Sequence, residues 1–367
     1  MQLFVGLDVS QVLTHLCVVD PDGRQVWRGK CSTAPDVLAQ TIETYAGSPA
    51  KVGIETGPLT PWLVHTLRAT GLDVVCIEAR HAHAVMSAAQ VNKNDRNDAK
   101  ALAQLLRTAW YRAVHVKSYS AHQLRAVLGA RAQLVMMTTR ISNHIRGVMK
   151  IFGLMVASAT KTTFAARVEE LVADRPEVEA VVGPMLATWR HLRGQIGAFD
   201  KQLMAIARAR PECRLLMSIP GVGYVSALAF MGAVDVPERF ASARAVGAHL
   251  GLTPRQHQSG EVDRLGAISK CGDPYVRTIL VEAANSLISR CRKPSPLRDW
   301  ALALQRRSGP KKARTALARK LAVIMLAVWR SGKPYAPSVS AVAMTRSEKV
   351  VAKAAKSSLL EARDFRA

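Results

Sequence analysis

The amino-acid sequence predicts an α/β domain at the N-terminus, followed by long helices and a mainly α C-terminal region. Three observations lead there. Short β-branched runs alternate with helical patterns through the first hundred residues; two long stretches beyond Ser120 carry apolar residues at mixed three and four spacing; and glycine-punctuated turns separate further helical patterns after Pro211. With 367 residues, 49% of them apolar, the chain can bury sizeable cores. At roughly 150 residues per domain, two or three folding units are expected.

Leu3 to Val9 and His15 to Val19 are short apolar runs, Pro21-Asp22-Gly23 makes a turn, and Gln25 to Cys31 returns, which predicts a three-stranded antiparallel meander. A helix over Pro35 to Tyr45, a strand over Lys51 to Glu55, a helix over Leu59 to Thr70 and a strand over Asp73 to Ile77 follow. A last helix starts at Asn94 or Asp95 and runs to Leu106. The order βββαβαβα, with mixed strand directions, is that of the ribonuclease H-like fold.

Long helical patterns cover Ser120 to Ile151 and Glu177 to Arg208, joined through Phe152 to Pro176, and suit an arm or a dimerisation coiled coil. Arg125, Arg131, Arg140, Arg146 and Lys150 are interleaved along the first. Ile219-Pro220-Gly221-Val222-Gly223 before a small-residue helix is similar to a helix-hairpin-helix element, in which Gly221 and Gly223 let backbone amides approach a phosphate. A polar loop over Pro254 to Lys270 and helices over Pro274 to Arg290, Ser295 to Arg307 and Lys311 to Trp329 complete the pattern. The expected domains are therefore 1–115, 116–209, 210–333 and a basic, disordered tail over 334–367.

Charge is unevenly placed. Residues 1–107 carry 10 basic and 10 acidic side chains, residues 108–291 carry 23 and 13, and residues 292–367 carry 18 and 4. All of the net +24 thus lies beyond the first domain, and nucleic acid is the default partner of such a surface. Binding should weaken steeply with salt. Trp62, Trp110, Trp189, Trp300 and Trp329 are candidates for base stacking, although most aromatic residues of this kind belong to cores.

Six cysteines without a C-x-x-C pair signal neither a zinc ribbon nor a disulfide framework, and fit a reducing cytoplasm. The N-terminus lacks the basic start of a signal peptide. The longest apolar run, Val225 to Val236, is too short for a membrane span and contains Gly232 and Asp235.

The neutral first domain carries the candidate chemistry. Asp8 and Glu55 each end an apolar strand, where an ionised side chain needs a cation or a donor. Asp95 and Asp98 are three apart, on one face of the last helix. Four carboxylates converging from two strands and a helix would bind Mg²⁺, or Mn²⁺ in its place, and leave positions open for phosphate oxygens. Taken singly, Asp95 is an ordinary N-cap, Glu55 a turn residue and Asp8 a hydrogen-bond acceptor.

In the loop over Pro254 to Lys270, the glycines free the backbone while Arg255, Arg264, Lys270 and the nearby Arg277 supply charge. Ser259 beside Gly260 offers a hydroxyl in these cationic surroundings, with His257 as a helper or a nucleic-acid contact. An ordinary turn serine is the alternative.

These stretches resemble one family. Gly6-Leu7-Asp8-Val9-Ser10, Gly53-Ile54-Glu55-Thr56-Gly57, Lys93-Asn94-Asp95-Arg96-Asn97-Asp98-Ala99, Ile219 to Gly223, Leu250-Gly251-Leu252-Thr253-Pro254 and Gln258-Ser259-Gly260 through Ile268 to Asp273 are similar, in order, to the DEDD transposases of the bacterial insertion-sequence one-ten family. The resemblance implies a RuvC-like nuclease domain with its acids on Asp8, Glu55, Asp95 and Asp98, and a second domain with a nucleophilic serine, carried over to Ser259 with Ser269 as the competing position. It also implies a structured bridge RNA that guides recognition of donor and target DNA, and dimers that assemble into a tetramer on the bacterial nucleoid. A composite site follows, because the serine and the acids lie on different domains. Two rival readings stay open: a Holliday-junction resolvase that hydrolyses DNA with the same acids, and a non-catalytic nucleic-acid-binding protein.

Overall fold

The computed structural model describes residues 1–89, 95–260, 262–291 and 294–337, with only the backbone described at 86, 88, 89, 95 and 96. The expected disordered tail lies, from residue 338 on, outside the described residues, as does Asn94. The chain divides into two compact units, Met1–Ser118 and Tyr119–Ala367.

The first unit is mixed α/β. Its elements are β1 (Leu3–Val9), β2 (Leu13–Val19), β3 (Gln25–Ser32), α1 (Pro35–Ala46), β4 (Ala50–Glu55), α2 (Thr60–Ala69), β5 (Asp73–Ile77), α3 (Ala79–Ala89) and α4 (Asp95–Arg107). The sheet order is β3-β2-β1-β4-β5, with β1 antiparallel to β2, β2 antiparallel to β3, and β1, β4 and β5 parallel. Because side chains alternate along a strand, Val5 and Leu7 join Leu16, Val18, Leu38, Ile42, Leu63 and Leu67 in a core on one face. Phe4, Cys17 and Val19 pack on the other, against Ala99 and Ala103 of α4. Helix α3 has no counterpart in the sequence reading, which left the stretch after Ile77 without an element.

The second unit is mostly helical: α5 (Tyr119–Ile151), α6 (Phe164–Val172), α7 (Pro176–Ala209), α8 (Pro211–Met217), α9 (Tyr224–Val234), α10 (Ala245–His249), a hairpin of β6 (Pro254–Ser259) and β7 (Val262–Ile268), then α11 (Pro274–Arg290), α12 (Pro296–Ser308) and α13 (Pro310–Ser331). The two long helices α5 and α7 pack side by side. Ile145, Met149, Val178, Val182, Leu186 and Trp189 close a separate small core with α6, which fills the connection between them. Leu124, Leu128, Leu203 and Ala207, from the other end of the pair, enter the main core with α9, α11 and α13. The sequence separated these helices from the C-terminal region at residue 209; their shared core instead joins them in one compact unit. Helix α9 is apolar all round and buried from Ala227 to Val234, as a central helix should be.

A polar clamp fixes the arm at its base. Arg131 Nε and the Tyr224 hydroxyl both donate to Oδ1 of Asp200, each at 2.7 Å. Burial raises the pKa of Asp200, but the hydrogen bonds from Arg131 and Tyr224 outweigh it, and the net shift is downward. A carboxyl whose folded pKa is lowered contributes stability above its unfolded pKa and loses it as pH falls through the folded value. Asp200→Asn is therefore expected to lower stability at neutral pH by about 1–2 kcal/mol, with the gap to wild type narrowing below the ordinary carboxylate range. Urea midpoints measured against pH check this.

Candidate active site

The close approach of α4 to the sheet sets the site. A Cβ on Gly6 would collide with the carbonyl of Ala99 and the amide of Ala103, and one on Gly53 with the side chain of Leu106. Glycine at position 6 lets the α4 backbone lie this close, and glycine at position 53 leaves room for the Leu106 side chain. Asp8 lies two residues beyond Gly6 and so faces the same side of β1, toward the helix that carries Asp98.

Parallel strands β1 and β4 end together, and ligand crevices form at the carboxyl ends of such strands. Here a cleft of about 590 Å³ is lined by Asp8 and Val9 at the end of β1 with Ser10 and Gln11 beyond it, by Glu55 at the end of β4 with the residues through Thr60 beyond it, and by Asp98 of α4. Asp8, Glu55 and Asp98 are half-buried. Three of the four expected acids thus share one cavity. Asp95 opens α4, one turn before Asp98, but its side chain lies outside the described residues.

Local hydrogen bonds make the walls. Thr60 Oγ1 donates to the Glu55 carbonyl at 2.6 Å and accepts from the Gly57 amide at 2.8 Å, while Thr56 Oγ1 accepts from the Ala79 amide at 3.1 Å. Thr33 Oγ1 donates to the Ser10 carbonyl at 3.0 Å and pairs with buried Thr14 at 3.0 Å. Among the described residues no three His, Cys, Asp or Glu side chains meet tightly enough to hold a metal ion. The donor set that lines the cleft is nonetheless one of hard carboxylate oxygens without His or Cys, the kind Mg²⁺ takes.

Sequence reasoning missed a row of residues beside the acids. His15 lies directly across from Asp8, and Lys30 across from His15, so a carboxylate, an imidazole and an ammonium follow one another along the end of the sheet. The register of the meander was the available signal.

In the second unit, the polar loop expected over Pro254 to Lys270 is largely the β6–β7 hairpin. Its strands are exposed over almost their whole length. No apolar alternation marks strands that bury neither face, which is why pattern reading returned a loop. Ser259 ends β6 beside Gly260, whose φ is +55°, and pairs with Val262; His257 pairs with Arg264. Ser259, His257 and Arg264 therefore share one face. The Ser259 hydroxyl makes no hydrogen bond among the described residues, whereas Ser269 Oγ accepts from the Cys271 amide at 3.4 Å at the hairpin base.

The other expected contacts divide. Arg255 is exposed but reaches the Ser269 carbonyl at 3.3 Å, and Lys270 is exposed. Arg277 Nη1 donates to the carbonyls of Leu250, Cys271 and Gly272 at 3.1, 2.7 and 3.2 Å, which commits it to holding the hairpin base. A side chain at Gly221 would strike the Ala283 carbonyl and Leu287 of α11, so that glycine serves packing; Gly223 has open space beside it. Trp189 is buried, Trp300 packs under Lys320, and Trp329 faces Phe230, whereas Trp62 and Trp110 are exposed. No helix among the described residues is long and apolar enough to cross a membrane.

Comparison with known proteins gives the chain its class. Residues 5–153 match a DEDD-type transposase model, and residues 213–299 match one described as Transposase IS116/IS110/IS902 family. The "Transposase for insertion sequence element IS1111A" of Coxiella burnetii is 30% identical over 340 residues, covering 90% of each chain. The "Probable family 20 transposase" of Pseudomonas aeruginosa is 28% identical over 341 residues, 91% of this chain and 98% of the relative. The "Pilin gene-inverting protein" of Moraxella bovis is 29% identical over 151 residues, 40% of this chain and 47% of the relative. The protein is thus a DNA transposase of insertion-sequence type. It belongs to the IS110 family, the one-ten family that the sequence resembles, and DEDD transposases typically use divalent metal ions.

If the glycine contact sets the cleft, Gly6→Val should cost stability by about 1–3 kcal/mol through overpacking, and should lower transposition by more than the lost folded fraction explains. Chemical denaturation and a transposition assay on the same preparation give the two numbers.

Proposed function

We propose that this transposase cuts and rejoins DNA with a RuvC-like carboxylate centre, Asp8, Glu55, Asp95 and Asp98, and a serine nucleophile, Ser259, while a structured bridge RNA selects donor and target DNA by base pairing. The observation that carries the reading is the meeting of Asp8, Glu55 and Asp98 on one cleft at the ends of adjacent parallel strands. The strand order and mixed directions support a RuvC-like fold.

The four acids would hold Mg²⁺, which when bound offsets phosphate charge and activates an attacking oxygen. The chain's own residues do the rest. Ser259 stands exposed on a hairpin, where its hydroxyl can meet a phosphodiester, and His257 and Arg264 on the same face bind and orient the phosphate. The Ser259 Oγ–P bond forms as the bond from phosphorus to one deoxyribose oxygen breaks; the hydroxyl proton passes by way of a carboxylate to the departing oxygen, which leaves as a hydroxyl. Because one phosphoester replaces another, the reverse step rejoins strands without an external energy source. The pilin gene-inverting proteins among the relatives support such chemistry, since inversion needs every cut strand rejoined.

The charge distribution fits an RNA-guided protein, which contacts backbones more than bases. The long helices α5 and α7 suit assembly into a dimer or tetramer, working in the cytoplasm on nucleoid DNA.

Ser259→Ala should abolish covalent protein–DNA adducts and recombination, while Ser269→Ala keeps both; adducts that persist in Ser259→Ala would remove the serine from the mechanism. Hydrolytic cleavage of branched DNA by Ser259→Ala at the wild-type rate would favour a resolvase instead. Asp98→Ala should cut metal-dependent recombination by at least about 10²-fold, and unchanged rates would take the acids out of the site.

A further inference from the structure

The half of the arm that carries α6 holds a second, smaller cavity, of about 160 Å³, between α5, α7 and the start of α6. Its cations are Arg146 from α5, Arg193 from α7 and Lys161 from the connection before α6; Thr139, Ser142 and Thr160 add hydroxyls, and no carboxylate lines it. The floor is apolar: Phe164 lies against Trp189 with ring centroids 5.1 Å apart, and the Arg146 guanidinium sits 4.6 Å over the Phe164 ring. Arg146 and Arg193 are half-buried, and neither makes an ion pair among the described residues. Of the acids around this end of the arm, Glu169 is paired with Arg190 at 2.6 Å, and Asp200, whose charge Arg193 feels at longer range, is already held by Arg131 and Tyr224.

Half-buried guanidinium groups without a carboxylate are costly to desolvate and gain most from an anion that takes several N–H donors at once. At about 30 Å³ per water, the cavity has room for one tetrahedral oxyanion and a few waters. A phosphate within a chain fits better than a free one, because the cavity opens to solvent on an arm studded with Arg140, His144 and Lys150.

We propose that this cavity is a phosphate-binding site for a nucleic-acid backbone, remote in sequence from the carboxylates and the serine hairpin, which anchors RNA or DNA to the arm. It rests on the nucleic-acid reading above, and phosphodiester is the chemistry that both polymers share. The arm therefore grips a polyanion as well as joining helices.

The test uses the full chain with a labelled hairpin RNA and, separately, a labelled DNA duplex, each titrated over a series of salt concentrations. The double variant Arg146→Gln/Arg193→Gln should weaken binding of at least one of them about tenfold and make its log–log salt slope shallower by about 1, the loss of one phosphate contact. The arm that weakens identifies the polymer. Arg146→Lys/Arg193→Lys should recover most of the slope. Lys161→Gln, at an exposed position, should weaken the same polymer about threefold even if the double variant does not fold. Unchanged affinity and slope in Lys161→Gln and in a folded double variant, for both polymers, would overturn the site and leave the function standing. Wild-type protein that binds neither polymer would overturn both.

Discussion

The site depends on how closely one helix can approach two strands. Side chains at Gly6 and Gly53 would occupy the backbone and side-chain positions of α4, so the absence of a Cβ there fixes the depth of the helix over the sheet. Ala99 and Ala103, both fully buried, keep the helix side of that contact equally thin. Once α4 is seated, its first turns stand over the ends of β1 and β4, and Asp98 joins Asp8 and Glu55 on one cleft without any further device. Threonines then fix the loops: Thr60 ties the turn after β4, and Thr33 ties the turn after β1. Small residues thus set the position of the acids.

The second unit works by a different physics. Its cohesion comes from a helical core around α9, and the β6–β7 hairpin, which carries the proposed serine, contributes almost nothing to that core. The hairpin is held from below, where Arg277 collects three carbonyls and Asp273 caps α11 while pairing with Arg125. A rigid base with exposed strands suits a hydroxyl that must be presented to a large polyanion. The net charge follows the same division, being zero over residues 1–107 and positive beyond.

Much of this was legible in the sequence, for reasons that differ by element. The first five strands and helices α1, α2 and α4 could be read because burial imposes period-two or helical spacing, whereas α3 was not read. Asp8 and Glu55 stood out because an acid at the end of an apolar run needs a cause. The β6–β7 hairpin could not be read as strands, since Gln256, His257 and Gln258 bury nothing and carry no alternation. Arg277 and Gly221 were read as nucleic-acid contacts because charge and glycine have that use; their packing roles appear only when α11 and the hairpin base are in place. The pairing of His15 with Asp8 was open to inference from the meander but required the register. The anion cavity of the arm draws its cations from positions 146, 161 and 193, too far apart in the chain for any motif.

In the proposed function, the cleft of Asp8, Glu55 and Asp98 is where a divalent metal acts. Crystals of the full chain soaked in Mn²⁺ and measured at the manganese absorption edge test it directly. An anomalous peak in that cleft, in contact with carboxylate oxygens of Asp8 and Asp98, is the expected result. Strong Mn²⁺ peaks elsewhere with none in the cleft, in protein whose recombination is Mn²⁺-dependent, would contradict it.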